Sequence, residues 1–210
     1  MGSSVLRHSN HQTRDLEIME TDKLLTAELE AHIAVIQKAI EECNEEISGI
    51  AECILAGFQQ GNKILLCGNG GSAADAQHVA AEFINRFRFD RPALPAIALT
   101  TDSSILTCIG NDSAFENIFS RQVEALGTKG DIFVGISTSG QSPNILKALE
   151  IAREKGLTTI GFTGEKGRSS MGEKCDYCLI IPSSDTARIQ ECHEFVWHVI
   201  CGAVESSLFQ

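Results

Sequence analysis

From Lys63 onward, five short apolar runs alternate with helical patterns, and this alternation constrains the fold more than any other feature. The runs are Ile64–Cys67, Pro95–Leu99, Asp131–Ile136, Thr158–Phe162 and Tyr177–Ile181. Each is continuously apolar, as strands are when both faces of their sheet are covered. The intervening patterns predict helices over Ser72–Phe87, Ser103–Gly110 and Phe115–Leu126, from the turn at 137–140 through Lys155, and over 186–207. Gly156 is placed to end the fourth of these helices. The expected fold is α/β: a doubly wound, five-stranded parallel sheet flanked by helices. Such sheets bind ligands outside the carboxyl ends of their strands.

A further helix is predicted over 22–58, where Leu24, Leu25, Leu29, Ile33, Ile36, Ile40, Ile47, Ile50 and Ile54 recur at three- and four-residue steps. It is longer than most helices, and a break is expected near Ser48-Gly49. Preceding the first strand, it has no sheet of its own to cover at that point, so packing against another subunit is expected. Residues 1–21 are polar and read as a flexible leader; residues 22–210 read as one domain that includes this helix.

The net charge of −11 disfavours direct binding to nucleic-acid backbone, which needs clustered Lys and Arg. No apolar run approaches the roughly 20 residues that span a bilayer, and no signal-peptide core precedes the domain. A cytoplasmic protein is expected. Its eight cysteines are then free thiols rather than disulfides. Cys175 and Cys178 have redox or zinc spacing but lack a second such pair, and they introduce a strand.

Two turns carry the chemistry. Gly68-Asn69-Gly70-Gly71-Ser72 joins a strand to a helix, and its glycines allow close backbone approach to an anion at the helix start. Ser72 is placed to cap that helix, with Asp75 three residues later. The spacing is neither the dinucleotide fingerprint nor the P-loop. Ser137-Thr138-Ser139-Gly140-Gln141-Ser142 repeats the strand–turn–helix arrangement with four hydroxyl groups, which suits a phosphate monoester. Two such turns at one sheet edge point to a small phosphorylated ligand.

His78 and Glu82 share one helix face at a four-residue step, as a metal-ligand or acid–base pair would. The last helix carries Gln190, His193 and His198, which could join them in a metal site. Helical geometry does not choose between the two histidines.

Four segments, GNGGSAADAQHVAAEF, INRFRFDRPALPAIALTTDSSILTCIGND, ISTSGQSPN and ARIQECHEFVWH, together resemble the phosphoheptose isomerase family of sugar isomerase (SIS) domain proteins. The resemblance covers roughly residues 20–208. It implies a flavodoxin-like parallel sheet and a homotetramer with active sites between subunits. It implies conversion of D-sedoheptulose 7-phosphate to D-glycero-D-manno-heptose 7-phosphate through an enediol, toward lipopolysaccharide or other surface glycans. One Zn2+ per subunit would be held by His78, Glu82, Gln190 and His198, which favours His198 over His193. Asn69, Gly70, Gly71, Asn111, Asp112, Ser137, Thr138, Ser139, Ser142 and Gln190 match substrate-contacting positions. Among them Ser137, Thr138, Ser139 and Ser142 would hold the phosphate. Glu82 matches the general base and His198 the general acid, so Glu82 carries two roles in tension: it cannot abstract a proton unless its ligation loosens. The competing reading is a non-catalytic SIS-domain regulator that binds the bacterial replication initiator protein. That class need not keep Glu82 and His198, both present here.

Overall fold

Strands β1 (Ile64–Gly68) and β3 (Ile132–Ile136) are buried at every residue, and the reason is a sheet with helices on both sides. In the computed structural model, which describes residues 6–210 and side chains from Glu20 onward, five parallel strands lie in the order β2-β1-β3-β4-β5. The others are β2 (Ala96–Ala98), β4 (Thr158–Gly164) and β5 (Tyr177–Ile181). Ile64 pairs with Ala96 on one side and with Ile132 on the other, and Ile132 pairs with Thr158. This is the expected doubly wound sheet.

Because successive strand residues point to opposite faces, each strand feeds two cores. Ile64 and Leu66 of β1, with Ile132, Val134 and Ile136 of β3, pack against α1 (Leu6–Gln59), α2 (Gly71–Ile84) and α6 (Thr186–Phe209). Leu65, Cys67 and Phe133 pack the other way, against α4 (Ser120–Leu126) and α5 (Pro143–Glu154). The short α3 (Ser103–Asp112) buries none of its residues. The predicted 115–126 helix divides into a 3-10 turn at Phe115–Asn117 and α4, which lets the adjacent Ile118 and Phe119 both enter the core.

Helix α1 departs from the expectation in two ways. It begins at Leu6, so of the predicted leader only residues 1–5 lie outside the described residues. It also runs unbroken through Ser48-Gly49. There α1 passes the Tyr177 ring of β5, and a Cβ at Gly49 would stand 3.4 Å from it, in ordinary van der Waals contact. The C-terminal half of α1 packs on β5 and α6 through Ala39, Ile50 and Ile54. Leu24, Leu25, Leu29, Ile33 and Ile40 remain exposed along its earlier turns.

A buried ion pair ties α6 to the end of α2. The Glu205 carboxylate accepts from the backbone N–H of Phe87 and Arg88, both at 2.8 Å, and from Arg91 Nε at 3.0 Å. Arg91 in turn donates to the carbonyls of Glu82 and Phe83, a cation at a helix C-terminus where the dipole favours it. Burial pushes the Glu205 carboxyl up, but these donors outweigh it and hold the group below its ordinary value.

Among the described residues no helix is long and apolar enough to cross a membrane. All eight cysteines are free, as expected.

Candidate active site

The strand order reverses direction between β1 and β3, and the two ligand-binding turns follow these two strands. The crevice of a doubly wound sheet opens at such a switch point. The turns are also tied to each other: the side-chain amides of Asn69, in the first turn, and Asn144, at the start of α5, exchange hydrogen bonds of 2.9 Å.

The first turn differs in detail from the expectation. Gly70, not Ser72, is the residue that caps α2, and no side chain caps the helix. Gly70 takes φ +57, which a glycine adopts without strain, and its carbonyl accepts from Ala73 and Ala74. Ser72 is buried inside the first helical turn. Gly71 is needed for another reason. A Cβ there would lie 2.4 Å from Gln190 Nε2 and 2.5 Å from its Oε1, so α6 lays the Gln190 amide directly on this backbone.

The second turn gathers its hydroxyls. Ser137 Oγ lies 3.1 Å from Ser142 Oγ and 3.4 Å from Ser139 Oγ. The backbone N–H of Gly140 donates to Ser137 Oγ and that of Gln141 to Ser139 Oγ. Gly140 has φ +63, and a Cβ there would fall 2.3 Å from Gly167 Cα. A Gly140→Ala variant is therefore expected to distort the cradle. Its left-handed conformation costs about 1–2 kcal/mol, before the clash is counted. The expected result is a lower Tm by thermal unfolding together with a raised KM for a phosphorylated substrate. An unchanged KM would place the phosphate elsewhere.

On the α2–α6 side, His78 stands between two carboxylates. Its Nε2 lies 3.1 Å from Glu82 Oε1 and its Nδ1 2.9 Å from Glu194 Oε2. The His198 ring crosses the His78 ring edge to face, with centroids 5.1 Å apart, and stacks on Phe87. The choice that helical spacing left open is thus visible in the geometry. His198 stands beside His78, whereas His193 is fully buried against Phe162 and meets the Thr163 carbonyl. Burial pushes His193 down to about 4, the Thr163 carbonyl opposing only in part, so it is neutral at pH 7.

Donor atoms of His78, Glu194 and His198 all lie within 4.8 Å of one another. Two imidazoles and a carboxylate are donors that suit zinc, so the residues present fit that ion. Gln190 reaches the same region differently: its Nε2 donates to Asp75 Oδ1 at 3.2 Å, which leaves Oε1 as its acceptor end. Asp75 is buried, and its other oxygen has no protein partner. Burial first, and then the neighbouring Glu194 carboxyl, push Asp75 up to about 7.

Asn111 and Asp112 sit exposed at the end of α3, where Asn111 Nδ2 donates to Asp112 Oδ1 at 2.7 Å. Asp75, Asn144 and Glu194 belong to the site and were not among the predicted residues. Glu194 had a signal: it lies four residues before His198 and four after Gln190, on one face of α6.

A sheet-edge crevice with a hydroxyl cradle and an adjacent imidazole–carboxylate cluster defines a sugar-phosphate site of the SIS type, and residues 29–164 match the SIS domain family. A phosphoheptose isomerase of Burkholderia pseudomallei (strain 1710b) is 53% identical over 194 residues, covering 91% of this chain and 92% of the relative. The structure of a phosphoheptose isomerase from Francisella tularensis superposes with a TM-score of 0.85 at 36% identity, covering 89% of this chain and 98% of that one. That of the Neisseria gonorrhoeae phosphoheptose isomerase gives 0.83 at 42% identity, covering 89% and 99%. The chain belongs to the SIS-domain family, in its phosphoheptose isomerase branch. Its relatives are named as enzymes, which favours the catalytic reading over the regulatory one.

Proposed function

We propose that the chain converts D-sedoheptulose 7-phosphate to D-glycero-D-manno-heptose 7-phosphate. The observation that carries this reading is that the turn bearing the Ser137–Ser142 hydroxyls is tied to the Asn69 turn through Asn144, and that Gln190, from the helix carrying His198, lies on Gly71 of that same turn. Ser137, Thr138, Ser139 and Ser142 hold the phosphate, and Asn69, Gly70, Gly71 and Gln190 line the path of the sugar. Asn111 and Asp112, at the exposed end of α3, complete the set of sugar contacts that the family resemblance assigns.

Glu82 takes a proton from C1 of the open-chain ketose while His198 gives one to the C2 carbonyl oxygen. The enediol so formed recovers the proton from Glu82 at C2, and its O1–H returns a proton to His198, leaving the aldehyde at C1. One zinc ion per subunit would polarise the substrate oxygens when bound. His78 and His198 would hold it with imidazole nitrogens and Gln190 with its amide oxygen; the family resemblance assigns the carboxylate to Glu82.

The exposed Leu24, Leu25, Leu29 and Ile33 of α1 support assembly with further copies, and a homotetramer is the proposed form. A cytoplasmic location and a role in heptose supply for surface glycans accompany this reading. Treating the enzyme with a chelator is expected to abolish isomerisation, and zinc is expected to restore it. Full turnover in metal-stripped protein would remove the metal from the account.

A further inference from the structure

We infer that Ser170 is a positioning residue for the phosphate cradle: its hydroxyl holds the Gly140–Gln141 peptide group in the orientation that turns the Gln141 N–H into the cradle. The inference rests on the phosphate reading of the 137–142 turn given above and adds to it a residue from outside that turn.

The segment that ends β4 and follows it lies against this turn. The Gly164 N–H donates to the Thr138 carbonyl at 3.1 Å, and Ser170 Oγ donates to the Gly140 carbonyl at 2.7 Å. The same hydroxyl lies 3.3 Å from the Gly167 carbonyl, the longer of its two contacts. Between these ties the two backbones touch. A Cβ at the buried Gly167 would stand 2.9 Å from Gly140 Cα and would overlap Thr163 Oγ1.

A trans peptide group is planar, so its C=O and N–H point in opposite directions. The peptide groups of the turn are trans. Anchoring a carbonyl on the β4 side therefore aims the N–H of the next residue the other way. The Gln141 N–H does point there: it meets Ser139 Oγ at 3.2 Å, within the hydroxyl cluster. The Ser139 N–H belongs to the peptide whose carbonyl Gly164 holds, and it has no protein acceptor among the described residues. Successive N–H groups presented to one side of a turn form a concavity that suits an anion. Gly140 makes the anchor necessary. With φ +63 and no Cβ it leaves the adjoining peptide plane free to rotate, and rotation would turn the Gln141 N–H out of the cradle. Gly164 makes its tie through the backbone, whereas the tie from Ser170 is one that a substitution removes.

Steady-state kinetics with sedoheptulose 7-phosphate, together with competitive inhibition by inorganic phosphate, test this on the whole enzyme and its Ser170→Ala, Ser170→Thr and Ser169→Ala variants. Ser170→Ala is expected to raise KM and the phosphate inhibition constant together, roughly 3- to 10-fold, the scale of one lost hydrogen bond. Its kcat should stay near that of wild type, because the lost contact serves ground state and transition state alike. Ser170→Thr keeps the hydroxyl and is expected to bring both constants back toward wild type. Ser169→Ala, at the exposed neighbouring serine, is expected to leave them unchanged. Ser170 is itself only partly buried, and thermal unfolding serves to confirm that each variant is folded at the assay temperature. A residue that merely braced the fold would lower Tm and move neither constant. Wild-type KM and phosphate inhibition in folded Ser170→Ala would therefore overturn the inference and leave the phosphate reading standing. A wild-type enzyme that turns over the sugar and is not inhibited by inorganic phosphate would instead overturn the reading of the turn beneath it.

Discussion

A Glu82→Gln enzyme is expected to lose about 10²–10⁴-fold in turnover, the contribution a positioned general base makes. The substitution keeps the size of the side chain and its contact with His78 Nε2, but it removes the group that accepts the C1 proton. KM is expected to change little, because the Ser137–Ser142 cradle and the Asn69 turn are untouched. Steady-state kinetics with sedoheptulose 7-phosphate separate the two parameters. Near-normal turnover would remove Glu82 from the proton-transfer role.

The largest effect on stability is expected at Glu205. Its side chain and that of Arg91 are 2% and 1% exposed, so removing one leaves the other buried without its counter-charge. Breaking such a pair typically costs about 3–5 kcal/mol. For a domain of this size, Glu205→Ala is then expected to lower Tm by roughly 10 °C or more. The loss should also reach the site, because Arg91 holds the carbonyl of Glu82 and Glu205 holds the chain at Phe87, on which His198 stacks. The pH dependence has a definite sign. The folded-state pKa of Glu205 lies below its ordinary value of 4.5, so its stabilisation is complete above that pH and fades as the pH falls through the lower folded value. Denaturant unfolding of wild type and Glu205→Gln should give a gap at pH 7 that narrows on acidification below pH 4.5. A gap that is the same at both pH values would mean that Glu205 acts by packing and not by charge.

Much of the fold is legible in the sequence, because a parallel sheet covered on both faces leaves a pattern that little else makes. The five apolar runs became the five strands, and β5 matches its predicted bounds. What escaped was set by contacts distant in sequence. Nothing local to Ser48-Gly49 reveals that α1 continues unbroken there, packed beside Tyr177 of the last strand. Gly70 takes the capping role assigned to Ser72 because a left-handed glycine already turns the chain into α2.

The site was legible where residues share one helix face, as His78 and Glu82 do. It was not legible where two helices meet. The pairing of His78 with Glu194 depends on α2 lying beside α6, and that of Asn69 with Asn144 on the β1–β3 neighbourhood. Helical spacing left His193 and His198 equivalent, the family resemblance favoured His198, and in the structure burial separates them.

The measurement that tests the central claim most directly is an NMR assay of sedoheptulose 7-phosphate with the zinc-loaded enzyme in deuterated water. The account predicts an aldoheptose 7-phosphate product, with deuterium entering at C2 in those turnovers where the proton held on Glu82 exchanges with solvent before the enediol collapses. Absence of the aldose from metal-replete, folded protein would contradict it.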